Sequence, residues 1–254
     1  MTAYVHPQSI VRKIWGKSDT ILFIFAGAAA EFALNKAVDW LYFTGRIPND
    51  PIGRLFSTVE YARHIVFASK EEAEATIDKI TFIHGGVEKA RGAKIPDWAY
   101  RDVLFMLIHY SIAAYELLER KLSADEKEDL YEVFLRIGRR MNVPDLPDTY
   151  KAWLPVREAH MQSDLARSRF TDDLFQQYKK HLGRLRYKAL REAQVLVVPK
   201  RVSALLQFRK ISLLYPLVPV YKLSRRLNLD AVIKWLLLPS AYKKQIEALD
   251  VLPS

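Results

Sequence analysis

Four side chains between positions 54 and 109 have the types and spacing to hold a redox cofactor. His84, in ITFIHGGVEKARG, occupies a helical-stripe position where an apolar residue is expected, after Ala73, Ile77 and Ile80 and before Val87. A neutral imidazole there could give one ring nitrogen to a metal while a hydrogen bond fixes the other. A hydrogen-bonded core histidine would leave the same trace. A single axial histidine leaves the opposite face of a haem free for dioxygen. Arg54 and Thr58, in DPIGRLFSTVEY, are four apart and share one helix face. The guanidinium could pair a haem propionate, and the hydroxyl could donate to a propionate or to bound oxygen. The alternative is a surface arginine and a threonine bonded to its own backbone. His109, in FMLIHYSIAAYE, lies one turn from Phe105 and Ala113. It reads as pocket-lining or structural, with a second-ligand role as the alternative. Glu132 could orient a histidine or arginine across the core, or it could be solvated.

Other chemistries find no support. Phosphate loops, dinucleotide fingerprints, helically paired metal-binding histidines and a nucleophile elbow are all missing from the sequence. The absence of cysteine excludes disulfides, thiolate metal sites and a cysteine nucleophile.

These residues must be positioned by helices. Alternating β-branched runs are few, and nine glycines in 254 residues suit helices joined by short loops. The pattern predicts helices over Ser18–Phe43, Pro51–Ala68, Ser69 to Gly92 and Asp97–Lys121, and from Ser123 to Met141. Ser69 with Glu72, and Ser123 with Glu126, are capping boxes. Further helices are expected over Lys151–Ser168, Thr171–Gln194, Pro199–Phe208, Ile211–Arg226 and Asp230–Leu238, with a short last one after Pro239. The helix after Pro96 is apolar on most sides and should be central. No repeat, low-complexity tract or domain boundary stands out.

Half of the residues are apolar, enough for a sizeable core. No stretch qualifies as a membrane span: Ile21–Leu34 is short and interrupted by Glu31. The runs Ile211–Tyr221 and Ala231–Leu238 are expected to be core, with a membrane-surface contact as the alternative. The net charge of +10 is concentrated between Arg167 and Lys210. Such a block suits an anionic lipid or ligand, or a solvated helix face. No nucleic-acid-binding motif accompanies it, so no nucleic-acid partner is expected. The N-terminus lacks a signal-peptide layout, and a cytoplasmic, membrane-peripheral location is the expectation.

The ordered set DTILFIFAGAAA, DPIGRLFSTVEY, FIHGGV, FMLIHYSIAAYE and LYEVFLRIGRRMNVPDLP, with a weaker echo in IKWLLLPSAYKKQI, resembles the oxygenase family that contains the fungal oxygenase MpaB and the bacterial rubber oxygenase, latex-clearing protein. The resemblance covers most of the chain. It implies an all-α single domain over 1–254 with a globin-like core of about ten helices around haem b. The core would span about 18–200, with helices of 201–254 packed on it. By the resemblance, His84 matches the axial iron ligand, Arg54 and Thr58 match the family's arginine and threonine, and His109 matches a pocket histidine. The implied chemistry is dioxygen-dependent cleavage of carbon–carbon double bonds in an apolar, isoprenoid-like substrate. Two positions depart from the family pattern. Asn35–Lys36 stands where many members carry histidine–proline, and Ser57 stands where rubber oxygenase carries a lysine. The first departure, with the basic block, supports a second expectation: a non-catalytic helical haem- or lipid-binding protein at anionic membrane surfaces.

Overall fold

Several helices begin where a side chain satisfies amides that lack a partner in the first turn. Ser69 Oγ accepts from the Glu72 amide at 3.3 Å, and the Glu72 carboxylate accepts from the Ser69 amide at 3.1 Å. Ser123 and Glu126 repeat this reciprocal cap at 3.1 and 3.0 Å. Asp50 accepts from the Gly53 amide at 2.8 Å, with Pro51 opening the helix. Thr149 accepts from the Ala152 amide at 3.2 Å.

The computed structural model describes residues 2–45 and 49–226. Among them are eleven helices: α1 (Ile10–Trp15), α2 (Ser18–Phe32), α3 (Asp39–Phe43), α4 (Pro51–Phe67), α5 (Lys70–Arg91), α6 (Asp97–Leu118), α7 (Ala124–Arg140), α8 (Tyr150–Ser163), α9 (Arg169–Val197), α10 (Lys200–Leu205) and α11 (Leu217–Arg226). The described residues form no strand beyond two isolated bridges, Ala3 with Ser69 and Asn35 with Leu165. The architecture is all-α.

Several boundaries differ from expectation, among them the ends of α6 at Leu118 and α10 at Leu205, three residues short of Lys121 and Phe208. The predicted helix Ser18–Phe43 is interrupted after Phe32 because tertiary bonds compete for its backbone. The Lys36 amide donates to Asp164 O at 2.9 Å, and Leu34 O accepts from the Ala166 amide at 2.8 Å. The same contacts end α8 at Ser163 rather than Ser168. The helix expected over Ile211–Arg226 begins only at Leu217. The segment expected to be apolar core is instead exposed at Ile211, Leu213 and Tyr215. α9 is longer than predicted and kinks at Gly183, whose φ of 74° and ψ of 168° lie in a region essentially closed to other residues. The helices expected after Asp230 lie outside the described residues.

α2 and α6 form the most extensive pairing, as the apolar girth of both predicts. One core cluster packs Ile14, Trp15, Ile21, Phe105, Ile108, Tyr131, Phe134 and Trp153 with almost no exposure. A second, around Leu34, Leu174, Phe175, Tyr178 and Val202, joins the end of α2 to α9 and α10. Fully burying each such large apolar side chain stabilises the fold by about 1.5–3 kcal/mol. These clusters fix α5, α6 and α8, the helices that carry the polar residues of interest.

Candidate active site

The Gly92–Pro96 turn brings the end of α5 back against the start of α6. Glu88 ties the two helices together: its Oε1 accepts from the Ile95 amide at 2.9 Å and from the Tyr100 hydroxyl at 3.1 Å. Tyr100 in turn packs against His84, with ring centroids 5.3 Å apart and an interplanar angle of 65°. Around them opens a cleft of about 100 Å³, lined by Thr81, His84, Asp97, Tyr100 and the turn Met141–Pro144. His84 Nδ1 is buried there with no hydrogen-bond partner among the described residues. Burial pushes the His84 pKa down, the positive charge of Arg54 pushes it further, and Glu88 opposes them. The imidazole is therefore neutral at pH 7 and keeps a lone pair on one nitrogen. Burial and the Glu88 carboxylate hold the Tyr100 hydroxyl in its protonated form.

Arg54, on α4, donates to Ser57 Oγ at 3.3 Å and lies near enough for its charge to act on His84. Thr58 Oγ1 donates to the Arg54 carbonyl at 3.2 Å, the self-bonded arrangement of a helical threonine. Its hydroxyl proton is thus already engaged. Glu132 is exposed, in keeping with the solvated reading.

His109 sits in a different environment. It lies nine residues beyond Tyr100 on α6, or about 13 Å along the helix at 1.5 Å per residue. Its ring meets that of Tyr110 edge-on at 5.0 Å. Burial drives its pKa down to about 4, with help from the charge of Arg157 and against that of Glu31. Arg54 and His84 are therefore brought together, whereas no hydrogen bond or ring contact joins His84 to Thr58 or His109 among the described residues.

Two polar groupings run through the core between α2, α6 and α8. Glu31 Oε2 accepts from Arg157 Nη2 at 2.5 Å and from the Tyr110 hydroxyl at 2.8 Å, with all three residues buried. The Tyr110 ring fits only because residue 27 is glycine: a β-carbon there would lie 2.1 Å from Tyr110 Cδ1. One turn away, Asn35 Nδ2 donates to Asp102 Oδ2 at 2.6 Å, and Asp102 Oδ1 meets His160 Nδ1 at 2.9 Å. Asp164 stands 3.8 Å beyond His160. Asp102, His160 and Asp164 place ligand atoms within 4.8 Å of one another. Both Asp102 oxygens are already bonded to Asn35 and His160, so the cluster is complete as a hydrogen-bond network. Asn35, the departure from histidine–proline, is a working member of that network.

Sequence reasoning missed Glu31, Asp102, Arg157 and His160 as a buried polar system. The available signal was ionisable residues inside apolar runs: Glu31 in FAGAAAEFALN and Asp102 in AYRDVLFMLI. A charge buried in such a run requires a partner.

The His84 donor set fits a haem on its ligand chemistry. An orphaned, neutral imidazole nitrogen can bind iron, and a guanidinium beside it can pair a carboxylate. The cleft is smaller than the roughly 300–1,000 Å³ of typical ligand sites, so it is the donor chemistry and not the cavity size that matches such a group. An all-helical fold with a histidine-lined cleft is the class defined so far. Within that class, residues 13–227 match the model of the family described as ER-bound oxygenase mpaB/B'/rubber oxygenase, catalytic domain, and the chain belongs to this family. No curated protein and no solved structure matches the chain.

Proposed function

We propose that this member of the oxygenase family is a haem b-dependent enzyme acting with dioxygen on a small apolar, isoprenoid-like substrate. The reading includes a globin-like arrangement of one helical domain around the haem. The observation that carries it is His84: a buried ring nitrogen without a partner among the described residues, kept unprotonated by its surroundings. His84 would ligate the iron, and Arg54 would neutralise a propionate. Thr58, with its proton held by the Arg54 carbonyl, would offer oxygen lone pairs to the same region. His109 would line the apolar path further along α6 rather than ligate. A bound haem would supply dioxygen activation.

The protein's own contribution is binding and exclusion of water. Tyr100 and Glu88 lock the His84 helix to α6 and so fix the ring's orientation. Cleavage of a carbon–carbon double bond by dioxygen places one oxygen atom on each carbon and needs no external reductant. An apolar tunnel would suffice to hold such a substrate, because an isoprenoid chain carries no charge that requires a protein counter-ion.

The test is expression with a haem precursor, followed by absorption spectra and pyridine haemochrome quantification of wild type and His84→Ala. Wild type is expected to show a stoichiometric Soret band. The variant, with unchanged far-ultraviolet dichroism, is expected to lose it. Equal haem in both would remove the ligand assignment, and a folded, colourless wild type would remove the haem reading.

A further inference from the structure

A helix packed on a globular body normally turns its apolar side inward. The segment 211–223 does the reverse. Ser212 Oγ donates to Glu192 O at 2.9 Å, and the Leu213 amide donates to Glu192 Oε2 at 2.7 Å. Farther on, Tyr221 donates to Asp19 Oδ2 at 3.1 Å and Lys222 Nζ to Glu119 O at 3.3 Å. The segment is thus held to the body through polar groups. Six of its apolar side chains face out, while Leu214 and Val218 are half-buried: Ile211, Leu213, Tyr215, Leu217, Val220 and Leu223 are each 54–68% exposed. On α11 the outward positions 217, 220 and 223 recur every three residues, one stripe of a helix. Single exposed leucines need no explanation, but six within thirteen residues form a patch of the kind that marks an interaction surface.

Along the sequence, the charge bordering the patch has one sign. No acidic residue occurs between Glu192 and Asp230, while Arg209, Lys210, Lys222, Arg225 and Arg226 flank or interleave the apolar positions. Glu192 itself is buried and bonded to Arg209 at 3.3 Å. Apolar side chains with a tyrosine among them, bordered by lysine and arginine, are the composition of a segment lying in a lipid interface. Two copies of the chain meeting through this face would set like charges against each other, which disfavours self-association. We propose that residues 211–223 dock on an anionic lipid surface, with the outward stripe of α11 entering the headgroup–acyl boundary. The inference does not depend on haem binding and holds equally for the cofactor-free protein.

The chain lacks cysteine, so a single introduced thiol can carry an environment-sensitive dye. Leu217→Cys, labelled and mixed with equimolar phosphatidylcholine–phosphatidylserine vesicles, is expected to blue-shift. Labelled Leu185→Cys, 78% exposed on α9, is expected to stay unshifted. Full-length protein should co-sediment with these vesicles and not with pure phosphatidylcholine. Raising salt from about 0.1 M to about 1 M shortens the screening length from about 10 Å to about 3 Å and should release it. Leu217→Glu/Leu223→Glu, with an unchanged melting profile, is expected to lose at least about tenfold in partitioning. The proposal is overturned if the double variant partitions like wild type, or if nothing binds at low salt. It is also overturned by a dye shift at position 185 in place of 217. A wild-type dimer in solution that the double variant dissolves would assign the face to a second copy instead.

Discussion

Glu31 and Arg157 are an ion pair with almost no water to share: their side chains are 1% and 4% exposed, and the N–O distance is 2.5 Å. Glu31→Gln preserves shape but leaves a guanidinium in the core without its counter-charge. Removing one partner of a buried pair costs about 3–5 kcal/mol. In a chain of this size each kcal/mol moves the melting midpoint by about 2–4 °C, so a fall of roughly 6–20 °C is expected. Arg157→Met leaves the carboxylate with the Tyr110 hydroxyl still donating to it, and its loss should fall toward the lower end of that range. The double variant removes both charges together, and its loss should be no larger than that of the worse single variant. Thermal and urea denaturation of the four proteins complete the cycle. His109 gives an independent readout, because Arg157 holds its pKa down and Glu31 opposes. Nuclear magnetic resonance titration should find it raised from about 4 in Arg157→Met and lowered further in Glu31→Gln. A Glu31→Gln loss below about 1 kcal/mol, or strict additivity in the double variant, would refute this account of the core.

Three further outcomes are expected. Gly27→Ala drives a β-carbon into the Tyr110 ring and should destabilise by about 1–3 kcal/mol, whereas Gly86→Ala, with nothing within 4 Å, should stabilise by up to about 1 kcal/mol; equal midpoints for the two variants would contradict the packing. His109 stays neutral in the folded protein at a pH where the unfolded chain protonates it, so its contribution is complete above about pH 6.5 and is lost as pH falls toward 4, amounting to about 3 kcal/mol. Denaturation as a function of pH should show that slope flattened in His109→Gln. Asn35→Asp sets a second carboxylate 2.6 Å from Asp102 and should cost about 2–4 kcal/mol at pH 7, with a smaller loss at pH 5 measured by the same method.

Local chemistry was legible in the sequence, and long-range pairing was not. The starts of α5 and α7 follow from serine–glutamate pairs three residues apart, and both caps form. The break after Phe32 was hidden because ALNKAV contains no helix breaker; backbone bonds to Asp164 and Ala166, more than a hundred residues away, end the helix. The apolar run from Ile211 pointed to core, but composition alone does not say which side faces the body, and six of its side chains lie outward. His84 was visible because it interrupts its own stripe. Glu31 and Arg157 belong to different helices 126 positions apart, and no pattern in one sequence couples them.

The kink at Gly183 divides the basic block. Lys179, Lys180 and His181 precede it, and Arg184, Arg186 and Lys188 follow. On a straight helix these groups would be spread around a single axis. Bent, they form two short arms that carry their positive charge along two different axes. The backbone angles of one residue without a side chain thus set the directions in which this charge is presented.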